Sequence, residues 1–180
     1  WGSLNEIGKA VASIDANGDV NTISVLMGER HKVRNFYNNI YSPNSLFGDV
    51  TIDTHAVAAG LLRPLSGNSL EVDHNFKNTS VKGRGTTKGS AVSGVSGNYG
   101  LYAEAYRRAA AERGILPRQM QSITWEAVRG LFTDKFKQSA KNVADIDAIW
   151  QRYKSGEIDL NETRRLVDER AGGINPPSWE

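Results

Sequence analysis

Between Val20 and Pro64 the chain sets out three helices together with the residues that stop them, and this leaves few folds open. Residues 20–27 (VNTISVLM) place Ile23, Leu26 and Met27 at helical spacing, and Gly28 breaks the pattern. A second helix is expected from about Arg30 to Tyr41, closed by Pro43, with Val33, Phe36, Tyr37 and Ile40 as its apolar face. A short extended piece, DVTI at 49–52, leads to Asp53 and Thr54, both good helix caps. The apolar run HAVAAGLLRPL follows and is stopped by Pro64. Its near-continuous apolarity predicts a central, buried helix.

The flanking segments extend the same pattern. Residues 3–13 read as a helix in which Ser3 caps and Glu6 completes a capping box. Asp15 to Asp19 (DANGD) is a turn. It opens like a calcium loop, but Leu26 stands where the bidentate glutamate belongs, so calcium is not expected. Residues 66–100 carry seven glycines and six serines, and after Asn75 they hold Lys77, Lys82, Arg84 and Lys88 with no acid. That composition predicts an inserted loop or short hairpin. Leu101 to Arg113 is an alanine-rich helix closed by Gly114, and Pro117 opens the next, running to about Phe132. Residues 133–142 read as a polar, basic link. Helices are expected at Asp145–Tyr153 and Leu160–Arg170, followed by a tail in which Trp179 is available as a plug. The fold class is mostly α, with about seven helices and little sheet. We divide it into a core at 1–132, interrupted by the loop at 66–100, and a C-terminal helical appendage at 133–180.

Bulk properties narrow the function. The 180 residues, 39% of them hydrophobic, are enough for a globular core. The chain has no cysteine, which removes disulfides, thiolate nucleophiles, zinc fingers and iron–sulfur clusters, and fits a reducing, cytoplasmic setting. No apolar run approaches the roughly 18 residues needed to span a bilayer, so no membrane partner is expected. No secretory leader is legible, and a Trp at position 1 suggests a piece of a larger polypeptide. The net charge of +2 is too small to argue for nucleic acid by itself. Any such argument rests on where the charges lie.

They lie at the glycine turn. Arg30, His31, Lys32 and Arg34 crowd the start of the helix that follows Gly28, where amide groups and the helix dipole favour a phosphate. The plain alternative is a solvated basic helix start. Asp53 has two readings as well. It is a helix cap, or it is a carboxylate able to stabilise a cationic sugar or activate water, with His55 beside it to orient it. Tyr37, Asn38 and Asn39 could line a groove, or Tyr37 could simply pack with its apolar partners. Trp125 reads first as core, given Ile123 and Val128 at helical spacing, and second as a pocket wall; Gln121 could read a base edge or face solvent. Lys82, Arg84 and Lys88 could close over a nucleic-acid backbone. No cofactor and no metal site is implied.

LMGERHKVRN followed by VTIDTHAVAAGLL resembles the helix-hairpin-helix, endonuclease III-like superfamily of DNA glycosylases. That family shows a hairpin of the form Leu-Pro-Gly-x-Gly-x-Lys-Thr-Ala, a spacer, then Val-Asp-Thr-His and an apolar helix. The hairpin glycine falls on Gly28, the catalytic aspartate on Asp53, and the lysine that attacks the sugar in bifunctional members on Lys32. Met27 replaces the hairpin proline and Arg30 the second glycine. The resemblance covers roughly residues 20–65, with an echo in QMQSITWEAVRGLF. It implies DNA as partner, a nucleotide flipped from the stack, and cleavage of its N-glycosidic bond or processing of a modified base. The chain also resembles uncharacterised phage and mobile-element domains, which leaves a non-catalytic DNA-binding module, an interaction domain or a toxin as alternatives.

Overall fold

The computed structural model describes residues 4–76 and 98–173. Lys82, Arg84, Lys88 and Trp179, Ser3 as a cap, and residues 77–97 of the loop or short hairpin expected at 66–100 lie outside the described residues. Among the described residues the chain is mostly α. Its helices are α1 (Leu4–Asp15), α2 (Val20–Met27), α3 (His31–Tyr41), α4 (Thr54–Leu61), α5 (Leu70–Phe76), α6 (Tyr99–Glu112), α7 (Pro117–Leu131), α8 (Asp134–Gln138), α9 (Ala140–Lys154) and α10 (Leu160–Ala171). None is long and apolar enough to cross a membrane.

Two of these helices are absent from the sequence reading. α5 hides in the Gly/Ser-rich stretch, where Val72 and Asn75 are buried. α8 is a single turn in the polar link, capped by the Thr133 hydroxyl on the Phe136 amide at 3.2 Å and anchored by Phe136 against Phe132. α9 begins earlier than expected because Ser139 caps it.

α4 is the middle of the molecule, as its apolarity predicts. Ala56, Val57 and Ala58 are all buried. Their small side chains let α6 and α7 approach closely, and at Gly60 an added Cβ would stand 3.1 Å from the Tyr102 ring. α6 presents Tyr99, Ala103, Tyr106 and Ala110 to this centre, a stripe at helical period. α7 presents Met120, Val128 and Leu131. Phe132, Phe136, Ile146 and Val167 continue the same core into the C-terminal helices. α9 is tied in by its Trp150 indole, which donates to the Leu62 carbonyl at 3.3 Å, and by Arg63, which bridges Glu71 of α5 and Asp147 of α9.

α1 to α3 differ from the rest, since none has a buried residue. Leu4, Ile7, Val11 and Ile14 form a solvent-facing apolar stripe on α1. On α3 the expected apolar face is only half covered. Val33 and Tyr37 are partly buried, while Phe36 and Ile40 are exposed.

Candidate functional site

α3 sets up the site by having two working faces. With successive residues turned about 100° around the axis, Lys32, Val33, Phe36 and Asn39 share one side while His31, Arg34, Asn35 and Asn38 share another. Each side lines a different cavity.

The larger is a cleft of about 760 Å³ between α3, the 51–53 segment and α7. α3 contributes Lys32, Val33, Phe36 and Asn39, the segment Thr51 and Asp53, and α7 Arg118, Gln121, Ser122, Trp125 and Glu126. Five site candidates singled out from the sequence, Lys32, Asn39, Asp53, Gln121 and Trp125, therefore meet in one place. Val33, Phe36, Thr51, Arg118, Ser122 and Glu126 join them. Val33 and Phe36 belong to the apolar face read on α3; nothing local marks the others.

Asp53 is held at both oxygens. Oδ1 accepts the Ala56 amide at 2.8 Å, the expected cap of α4. Oδ2 accepts the Trp125 indole N–H at 3.2 Å and lies 3.7 Å from His55 Nδ1. The His55 ring meets Trp125 edge-on at 5.3 Å, and the Arg129 guanidinium sits 5.1 Å from the same indole. Trp125 is thus a partly exposed wall with its polar edge committed to the carboxylate, not the core residue its spacing first suggests. Trp125→Phe keeps the ring contacts and deletes one hydrogen bond to a charged group. Denaturant titration is expected to show a loss of about 1.5 kcal/mol, and no loss would mean that the bond contributes nothing in solution.

The smaller cavity, about 280 Å³, lies on the other side of α3 and takes in His31, Arg34, Asn35, Asn38, Asp49, Tyr99 and Arg107. His31 stacks on Tyr99 at 4.4 Å, and burial lowers its pKa, favouring the neutral ring. Asn38 donates to Asp49 at 3.2 Å. Tyr37 lies on neither face and stacks on Tyr41 at 5.9 Å.

The basic cluster therefore divides. Lys32 faces the cleft, Arg30 is exposed, and His31 turns to Tyr99. Arg34 closes the C-terminus of α2, donating to the Gly28 carbonyl at 2.8 Å, the Ser24 hydroxyl at 2.9 Å and the Ser24 carbonyl at 2.5 Å. Gly28 itself has φ 68°, and its amide donates back to Val25 at 3.1 Å. The turn is thus fixed from both sides, by the glycine backbone and by Arg34.

Residues 68–132 match a family of unknown function (DUF7178). The match spans about a third of the chain, from α5 to α7. It takes in the α7 wall of the cleft and leaves out the α3 wall and Asp53. No curated protein and no solved structure matches the chain.

Proposed function

We propose that the chain acts on DNA by glycosylase-like chemistry, at the N-glycosidic bond of a nucleotide drawn into the α3–α7 cleft. The observation that carries this is the meeting of Lys32 and Asp53, the two residues the helix-hairpin-helix resemblance selects, in one cleft with Trp125 on the carboxylate. A cleft of about 760 Å³ falls in the size range of small-molecule sites and suits a nucleotide. Trp125 and Phe36 offer apolar walls, while Gln121, Asn39 and Ser122 offer hydrogen bonds to a base edge.

In this reading the bond from C1′ to the base nitrogen breaks, and its electron pair leaves with the base, which takes up a proton. Asp53 faces the positive charge left on the sugar, and water adds at C1′ while its proton passes to the carboxylate. Where the Lys32 amine adds at C1′ in place of water, a Schiff base forms and the strand can be cut. Oligonucleotides bearing normal, uracil, oxidised and hydroxymethylated bases test this, with abasic sites read by alkali cleavage and the imine trapped by borohydride. At least one substrate is expected to yield abasic sites, and any trapped adduct is expected to vanish in Lys32→Ala. No product across the panel overturns the enzyme reading.

One observation favours a second reading, a binding module without chemistry. Both Asp53 oxygens already have partners within the fold. A binder would grip duplex DNA with an affinity that falls as salt rises and would leave every base in place.

A further inference from the structure

The hydrogen bonds already made inside the α3–α7 cleft decide what its polar side chains can still offer a ligand. Several of its donors are taken up within the fold. The Trp125 indole N–H goes to Asp53 at 3.2 Å, the Ser122 hydroxyl donates to the Arg118 carbonyl at 3.0 Å, and the Asn39 amide donates to the Thr51 hydroxyl at 3.2 Å. Arg118 Nε is held by the carbonyl of exposed Pro43, which keeps that guanidinium at the outer end of the cleft. The acceptors are open. Ser122 Oγ keeps its lone pairs once its hydrogen is committed, and Asn39 Oδ1 faces the ligand side of an amide whose nitrogen is fixed. Glu126 is exposed to the cleft and takes part in no hydrogen bond or ion pair among the described residues. Ser122 and Glu126 stand one helical turn apart on α7, with Gln121 and Trp125 beside them, so the acceptors run along one wall. Gln121 adds a donor and an acceptor on a single amide.

We infer that the cleft selects a base bearing an exocyclic amino group, as cytosine and adenine do, over an oxo base such as uracil, thymine or hypoxanthine. The inference rests on the proposed action at the N-glycosidic bond and adds which bases that action takes. An amino group brings two N–H donors to a wall of acceptors. A carboxylate accepts from the cytosine N4 amino group, and a glutamine amide pairs with the amino group and adjacent ring nitrogen of adenine. An oxo base turns a carbonyl oxygen toward the same wall. The Glu126 carboxylate has no hydrogen to give it, and the Ser122 hydrogen is already on the Arg118 carbonyl. Two acceptors then face one another and each loses its water without gaining a partner. That mismatch discriminates more strongly than a missing apolar contact does.

Oligonucleotides in matched pairs test it, each pair differing in an amino against an oxo group: cytosine and uracil, 5-hydroxymethylcytosine and 5-hydroxymethyluracil, adenine and hypoxanthine. In any pair that yields abasic sites, the wild type is expected to favour the amino member by about tenfold or more. Glu126→Gln keeps the size of the side chain and supplies an N–H that an oxo base can accept. It is expected to shrink that ratio by at least about threefold, and because the ratio is internal to one protein, a change in folded fraction does not move it. An oxo member cleaved as fast as its amino partner, or a ratio unchanged in Glu126→Gln, overturns the selectivity and leaves the N-glycosidic reading standing. If no oligonucleotide yields abasic sites, the N-glycosidic reading falls, and the selectivity is decided by binding alone. Titrations of the wild type with dCMP against dUMP and dAMP against dIMP, followed by tryptophan fluorescence, are then expected to show the amino nucleotide bound about tenfold more tightly, with the gap narrowed in Glu126→Gln. Equal affinities, or no binding of any of the four, overturn it.

Discussion

Asp53→Asn is expected to lower formation of abasic sites by about 10²-fold or more while leaving duplex affinity within about threefold. The substitution suits this site because it separates the two roles of the side chain. The asparagine oxygen can still accept the Ala56 amide now held at 2.8 Å, so α4 keeps its cap. Its amino group, however, faces the Trp125 N–H, so one hydrogen bond is lost, for about 1–2 kcal/mol of stability and no more. What disappears entirely is the negative charge that would face the sugar cation and take the water's proton. The checks are the initial rate of abasic-site formation on whichever oligonucleotide the wild type cleaves, and a thermal melt showing that the fold survives. A rate unchanged in Asp53→Asn, with the wild type active, would place the chemistry elsewhere in the cleft and leave Asp53 a cap. A large loss of stability in place of a loss of rate would say the same.

Much of the architecture was legible in the sequence because it is written locally. The ends of α2, α3 and α7 follow from Gly28, Pro43 and Pro117, and the burial of α4 follows from its run of alanines and valine. α5 and α8 escaped because each is short and has a single buried apolar anchor among the described residues, Val72 or Phe136, inside a polar stretch; the other buried residue of α5, Asn75, gives no hydrophobic signal. The site was legible in part for the same reason. Lys32 and Asp53 stand out by motif, but their shared cleft depends on how α7 packs across α4, which no window of sequence contains. Trp125 shows the limit most plainly. Its spacing with Ile123 and Val128 is that of a core residue, yet Ile123 is exposed and Trp125 turns its N–H to a carboxylate 72 positions away. The basic cluster shows it from the other side. Adjacent charges in sequence point around a helix, so one of them meets the cleft, one stacks on a tyrosine, and one closes the preceding helix.

Tyr99→Phe is expected to destabilise the protein by about 2–4 kcal/mol, although it removes a single oxygen. The Tyr99 hydroxyl accepts the Ile52 amide at 2.9 Å and donates to the Val50 carbonyl at 2.9 Å. Val50 and Ile52 are both fully buried, so phenylalanine would leave an N–H and a C=O without partners where no water reaches them. The same hydroxyl is the anchor of the segment that delivers Thr51 and Asp53 to the cleft. Urea denaturation should therefore show a lower midpoint at unchanged slope, and abasic-site formation should fall further than the folded fraction accounts for. Alkaline titration offers an independent reading. Burial pushes the Tyr99 hydroxyl well above the usual phenol range and the Tyr106 hydroxyl up to about 12. Folding favours the protonated phenol in both cases, so their stabilisation is whole below about pH 10, the ordinary phenol value, and is lost as the pH rises through the folded values. The wild type should lose stability as the pH climbs past 10, and Tyr99→Phe should lose less of what remains to it over that range. A midpoint shift worth under about 0.5 kcal/mol, the size of an ordinary surface substitution, would mean that the Val50–Ile52 segment is held by its apolar side chains alone.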